Sequence, residues 1–148
     1  MMHGEFAEWD TMFLDVARAV ATRSKDPSTK CGAVIVTPAK ELVSTGYNGM
    51  SRKVVDALVD WSRPTKYRRL IHAELNAVLF GLKARGALGL DGCTMYCTGR
   101  LCSRCALIVG HVGISRVVMG EQVAVLVDDT EWALTIEILE QNGVLWIA

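Results

Sequence analysis

His72 and Glu74 stand two apart at the head of an otherwise apolar run, Ile71 to Phe80. About thirty residues on, Cys102 and Cys105 stand at CxxC spacing at the head of a second apolar run. Polar groups so placed need a partner, and one imidazole with two thiolates makes three-quarters of a tetrahedral shell for zinc. A structural zinc is closed by a fourth protein ligand, whereas an open fourth position admits a water whose pKa falls toward roughly 7. Two thiolates and a neutral imidazole cancel the charge of Zn²⁺, so this water can ionise to hydroxide without building up a large negative site. Glu74 is then left over as a carrier of protons. The chemistry these four residues encode is hydrolytic, with a metal-activated hydroxide as nucleophile and a carboxyl beside it.

Other arrangements compete. A CxxC alone also serves redox and structural sites, and it is the upstream HxE that favours catalysis. Cys93, Cys97, Cys102 and Cys105 could form a closed four-cysteine site, although Cys93 falls at the beginning of its strand, away from the carboxyl end. Cys97, at that carboxyl end, reads either as a buried small residue or as a neighbour of the metal. Cys31 reads as core, and His111 as a helix-end residue placed favourably against the dipole.

The elements that must position these groups follow from periodicity. From Glu5 to Ala21, Phe6, Trp9, Phe13, Val16, Ala17 and Val20 recur at helical spacing. Turn formers between Thr22 and Lys30 lead into a strand over 31–36. After Pro38-Ala39-Lys40 a second strand over 41–47 completes an antiparallel hairpin, closed by Asn48-Gly49. Residues 50–70 read as irregular, with a short helix between Val54 and Trp61 and with Pro64 interrupting any longer one. A segment of that kind tends to be functional and to line a pocket or a subunit contact.

Beyond it helix and strand alternate: helix over 72–85 capped by Gly86, strand 92–97, helix 102–111, strand 116–119, helix 128–141 followed by Gly143, and strand 144–147. This rhythm predicts parallel strands with right-handed crossovers and helices on both faces. In such a sheet ligands collect at the carboxyl ends of strands, where helix N-termini favour thiolates. Both halves of the motif begin helices there.

Composition narrows the partners. Sixteen basic and sixteen acidic residues cancel, so no global positive field gathers polynucleotide and a small substrate is expected. With 51% hydrophobic residues, residues 1–148 read as one domain. No apolar run approaches the roughly 20 residues that span a bilayer, and no leader pattern opens the chain, so a cytoplasmic protein without disulfides is expected.

HxE followed by CxxC is the pattern of zinc-dependent nucleobase deaminases. Together with Arg23-Ser24-Lys25-Asp26-Pro27, Gly32-Ala33-Val34-Ile35-Val36, Gly46-Tyr47-Asn48-Gly49, His72-Ala73-Glu74-Leu75-Asn76-Ala77 and Gly92-Cys93-Thr94-Met95-Tyr96, it resembles the deoxycytidylate deaminases of the cytidine deaminase superfamily. The resemblance runs from about residue 5 to 147. It implies a three-layer α/β/α fold around a mixed sheet of about five strands with an N-terminal antiparallel hairpin.

The same resemblance implies zinc-dependent hydrolysis of dCMP to dUMP and ammonia, with Glu74 carrying protons and His72, Cys102 and Cys105 binding Zn²⁺. The Ala73 amide would meet the pyrimidine 2-oxo group and Asn48 the deoxyribose hydroxyl, with Lys25 and Lys30 as candidates for the 5′-phosphate. It further implies a homo-oligomer, commonly a hexamer, with dCTP and dTTP as effectors and Mg²⁺ accompanying an effector nucleotide. Relatives carry proline where Leu101 stands here, before the first metal cysteine. The same machinery would serve a deaminase of tRNA adenosine, guanine or a modified cytosine nucleotide, or a zinc and nucleotide module without turnover.

Overall fold

The computed structural model describes residues 6–122 and 126–148. The elements in chain order are α1 (Glu8–Ala21), β1 (Gly32–Val36), β2 (Leu42–Tyr47), a 3₁₀ turn (Asp56–Leu58), α2 (Thr65–Arg69) and α3 (Ala73–Arg85). A second 3₁₀ turn (Gly86–Leu88), β3 (Thr94–Gly99), α4 (Ser103–His111), β4 (Arg116–Gln122), α5 (Asp129–Gln141) and β5 (Leu145–Ile147) follow. The five strands lie in the order β2-β1-β3-β4-β5. β1 is antiparallel to β2 and β3, while β3, β4 and β5 run parallel. This is the mixed α/β/α sheet with an N-terminal hairpin that the alternation of elements predicts.

Side-chain alternation divides the core in two. Ala33, Ile35, Met95, Cys97, Val117 and Met119 face one way, against Ala73, Ala77 and Val78 of α3, Ala106 and Val109 of α4 and Ile138 and Leu139 of α5. Val34, Val36, Tyr96, Val118 and Ile147 face the other way, against Phe13, Leu14 and Ala17 of α1. Since successive residues of a strand point to opposite faces, a strand covered on both faces is apolar throughout. β1 accordingly buries all five of its residues.

Helix α1 differs from its sequence reading. It begins at Glu8, and Glu5 lies outside the described residues. Its buried face is Asp10, Phe13, Leu14, Ala17 and Ala21, while Phe6 and Trp9 are about half exposed. The reason is electrostatic. Asp10, fully buried, takes two hydrogen bonds from Arg116 (2.8 and 2.6 Å), one from the Tyr96 hydroxyl (2.8 Å) and one from the Ala7 amide (2.7 Å). A buried carboxylate with four donors draws its helix face inward.

Within residues 50–70 the expected short helix is the 3₁₀ turn Asp56–Leu58, and α2 is an addition to the sequence reading. The ends of the segment are joined by reciprocal bonds between Gly49 and Ile71 (3.0 and 2.8 Å), and inside it α2 starts immediately after Pro64. Proline cannot continue a helix, but its fixed φ suits the start of one. On the far side, strand β4 runs three residues beyond the predicted Met119.

Helix α3 reaches its position because β2 has no side chain at Gly46. A Cβ there would lie 2.3 Å from the Ala73 carbonyl oxygen and 2.4 Å from the Ala77 nitrogen. Ser44 of β2 donates to the Ala77 carbonyl at 2.7 Å and fixes the same contact. The first turn of α3, which follows His72 and carries Glu74, is thus pressed onto the hairpin.

Candidate active site

Topology gathers the candidate residues. Because β1 runs opposite to its neighbours, the residues before β1, after β2 and after β3 share one edge of the sheet. Thr29 and Cys31, Asn48, and Arg100 with Cys102 meet there, around a cavity of about 100 Å³. Segment 50–70 supplies another wall with Arg63, Lys66, Tyr67 and Leu70, and His72, Ala73 and Glu74 close it.

His72 is the N-cap of α3 and Cys102 the N-cap of α4, so two helix starts converge on the donor set. The ring Nδ1 of His72 lies 3.5 Å from the sulfur of Cys102 and 3.5 Å from that of Cys105. Zinc with bonds of about 2.0–2.1 Å to nitrogen and about 2.3 Å to sulfur has nitrogen–sulfur edges of roughly 3.5–3.6 Å. One donor atom from each residue lies within 4.8 Å of the other two, and among the described residues this is the group so placed. The donor set fits a tetrahedral metal with one position left over. Cys93 and Cys97 are outside it and fully buried, and the Cys97 thiol points to the Val118 carbonyl at 3.8 Å.

The protons on these groups follow from contacts. The Cys102 thiol is pushed down to about 4, first by the bond it receives from Cys105 and, against the cost of burial, by the His72 ring and the Cys105 amide. Cys105, giving up that bond in a buried position, is pushed up. His72 is raised by its contact with Cys102, with burial opposing. Burial pushes the Glu74 carboxyl up, with His72 opposing, and its Oε2 lies 3.8 Å from the Cys105 sulfur. Glu74 is only 9% exposed and stands beside the donors without being one of them.

The other expected residues divide. Ala73 and Asn48 line the cavity. Asn48 is held at both ends, its Oδ1 accepting from the Cys31 amide and its Nδ2 donating to the Thr29 carbonyl, both at 2.8 Å. Lys25 and Lys30 are not among the lining residues: the first pairs with Asp56 at 2.7 Å and the second donates to the Ser24 carbonyl at 2.8 Å.

Among the described residues, the cations that line the cavity are Arg63, Lys66 and Arg100. Lys66 is buried and spends its donors on both oxygens of Asp26 (3.0 Å each) and on the Ser28 hydroxyl (2.7 Å). Arg63 reaches the Ser28 hydroxyl at 3.4 Å, and Arg100 lies 4.6 Å over the Trp132 ring. Sequence reasoning missed these three. The basic cluster around Pro64 marked Arg63 and Lys66 only as part of a group, with nothing local to say which of its members turn inward, and Arg100 carried no such signal.

Comparison with known proteins agrees with this arrangement. The family model for the cytidine and deoxycytidylate deaminase zinc-binding region matches residues 7–121. The deoxycytidylate deaminase of Mus musculus is 38% identical over 120 residues, covering 77% of this chain, and the match spans only 65% of the mouse protein's length. The deoxycytidylate deaminase of Mycobacterium phage D29 is 33% identical over 124 residues, covering 75% of this chain and 93% of the phage protein. In fold, the chain resembles the dCMP deaminase of cyanophage S-TIM5, solved with dCMP and dUMP, at a TM-score of 0.72 and 20% identity, over 98% of this chain and all of that one. A family match that takes in His72, Glu74 and both cysteines, on a fold that brings them together, places the chain in the cytidine and deoxycytidylate deaminase family.

Proposed function

We propose that the protein hydrolyses dCMP to dUMP with release of ammonia. The observation that supports this reading most is the apposition of the His72, Cys102 and Cys105 donors beside the buried Glu74 carboxyl, on the wall of a cavity that three cations also line. A zinc ion held by His72, Cys102 and Cys105 would supply Lewis acidity, making water a nucleophile at neutral pH.

The chain's own residues do the rest. Glu74 takes a proton from the attacking water and passes it to the ring nitrogen next to the reacting carbon, which removes the ring's charge build-up as the carbon–oxygen bond forms. The remaining proton of the added hydroxyl then goes through the same carboxyl to the exocyclic amine, and the carbon–nitrogen bond breaks to release ammonia as the ring carbonyl forms. One carboxyl serves both transfers because it is fixed in the first turn of α3 yet is not consumed as a ligand. Ala73, at the first helical position, has an amide with no acceptor inside its helix and can hold the 2-oxo group. Asn48 keeps one amide hydrogen and one carbonyl lone pair for the deoxyribose hydroxyl, and its two backbone bonds hold it still.

Arg63 and Arg100 are the better placed cations for the 5′-phosphate, since Lys66 is committed to Asp26 and both Lys25 and Lys30 are engaged elsewhere. The test incubates purified, zinc-loaded protein with dCMP, CMP, dCTP and deoxycytidine and follows ammonia. Turnover of dCMP above the others is expected. Turnover of deoxycytidine but not dCMP refutes the phosphate reading, and no turnover of any cytosine compound refutes the activity.

A further inference from the structure

We propose that Glu131 is a positioning residue for the metal site, holding Cys102 in place through the peptide that follows it. The inference rests on the zinc reading given above. Asp128 caps α5 by accepting from the Glu131 amide at 2.9 Å, which puts Glu131 three residues past the N-cap. A glutamate at that position ordinarily reaches back to the N-cap amide of its own helix. Here its Oε1 reaches across to α4 and accepts from the Ser103 amide at 2.7 Å.

Ser103 is the first residue of α4, and its amide belongs to the peptide joining it to Cys102. One turn along α5, buried Thr135 shares its hydroxyl proton between the Leu101 carbonyl (3.2 Å) and the Glu131 carbonyl of its own helix (2.9 Å). Helix α5 therefore holds the peptides on both sides of Cys102, firmly after it and more weakly before it. Cys102 is the more exposed of the two cysteines, while Cys105 is packed inside α4. The ligand that most needs external support receives it. Groups that orient a metal ligand typically govern metal affinity by 10–100-fold.

The test measures zinc release from the loaded protein to a chelating dye. Glu131→Ala is expected to release zinc about 10–100 times faster than the wild type. Glu131→Gln keeps an oxygen for the Ser103 amide and is expected to restore most of the loss. Ser103→Pro gives a second route that spares Glu131. Cys102 already has φ −82° and ψ 164°, the backbone that precedes proline, and the first helical position tolerates proline, so this variant deletes the amide donor without forcing the backbone. It should release zinc as fast as Glu131→Ala, and the double variant no faster. Unchanged release in either single variant overturns the inference, and so does equal acceleration in Glu131→Ala and Glu131→Gln. A melting loss in the metal-free chain with release unchanged reduces Glu131 to a helix cap. A wild-type chain that binds no zinc removes the metal reading itself and this inference with it.

Discussion

Replacing Lys66 by methionine tests how the cavity wall is built. The Lys66 ammonium and the Asp26 carboxylate have side chains 3% and 1% exposed and meet at 3.0 Å. Removing one member of a buried pair strands the other's charge and costs about 3–5 kcal/mol. The methionine stem keeps most of the packing, so the electrostatic loss dominates. Part is offset, because Asp26 also accepts from the Ser28 amide (2.9 Å), the Ser28 hydroxyl (3.0 Å) and the Thr29 amide (3.1 Å). The lower end of the range, about 3 kcal/mol, is therefore expected at pH 7. At about 2–4 °C per kcal/mol for a chain of this size, the melting point should fall by about 6–12 °C.

The pH dependence carries the sharper check. In the wild type, burial alone would raise the Asp26 carboxyl, but the Ser28 amide, the Lys66 ammonium and the Thr29 amide together hold it below its ordinary 3.8. A carboxyl lowered on folding contributes stability that is fully present above the unfolded value and is lost as pH falls through the folded one. Without Lys66 one of the lowering contacts is gone, so the carboxyl rises from its wild-type position and acid protonates it earlier in the variant than in the wild type. Urea unfolding of both proteins at pH 7 and at about pH 3 measures this. The gap between them should shrink at the lower pH, and Asp26→Asn combined with Lys66→Met should recover at least about 1 kcal/mol at pH 7. A Lys66→Met protein within about 1 kcal/mol of the wild type at pH 7 refutes the argument.

Glu74→Gln should keep about one zinc per chain and lose at least about a thousandfold in turnover, since general acid–base transfer is worth about 10² to 10⁴ and here serves two steps. Arg63→Ala and Arg100→Ala should each raise KM for dCMP by about tenfold, one charge-assisted contact's worth, and leave deoxycytidine kinetics unchanged. Gly46→Ala should cost about 1–3 kcal/mol in urea unfolding and slow turnover, because its Cβ meets backbone atoms of α3 at 2.3 and 2.4 Å and the helix that carries Glu74 must move. The Asp10 carboxyl, which burial would raise but Arg116, the Ala7 amide and Tyr96 hold low, should lose its contribution as pH falls from about 4, so an Asp10→Asn protein should show a flatter stability profile than the wild type over that range.

What the sequence disclosed and what it hid divide along the range of the interactions. His72 with Glu74 and Cys102 with Cys105 are local pairs at the heads of apolar helices, and a helix start needs only a few neighbouring residues to declare itself. The strands announce themselves in the same way, since an apolar run of four to seven residues between turn formers has few alternatives. Arg63, Lys66 and Arg100 could not be read, because their place depends on where segment 50–70 folds back and where β3 ends. Lys25 and Lys30 were drawn to the phosphate by their loop, yet a side chain's direction is set by whichever partner is near, here Asp56 and the Ser24 carbonyl. The buried face of α1 differed for the same reason, since Asp10 is drawn inward by a guanidinium partner lying 106 residues along the chain. Glu131 joins both ranges in one residue. Its spacing from Asp128 writes an ordinary helix cap, and only the arrival of α4 turns that carboxylate outward to the peptide of a metal ligand. Charged groups that look solvated in a sequence are therefore where this fold keeps its long-range instructions, and a sequence reading gains most by asking of each which distant partner would make burying it worthwhile.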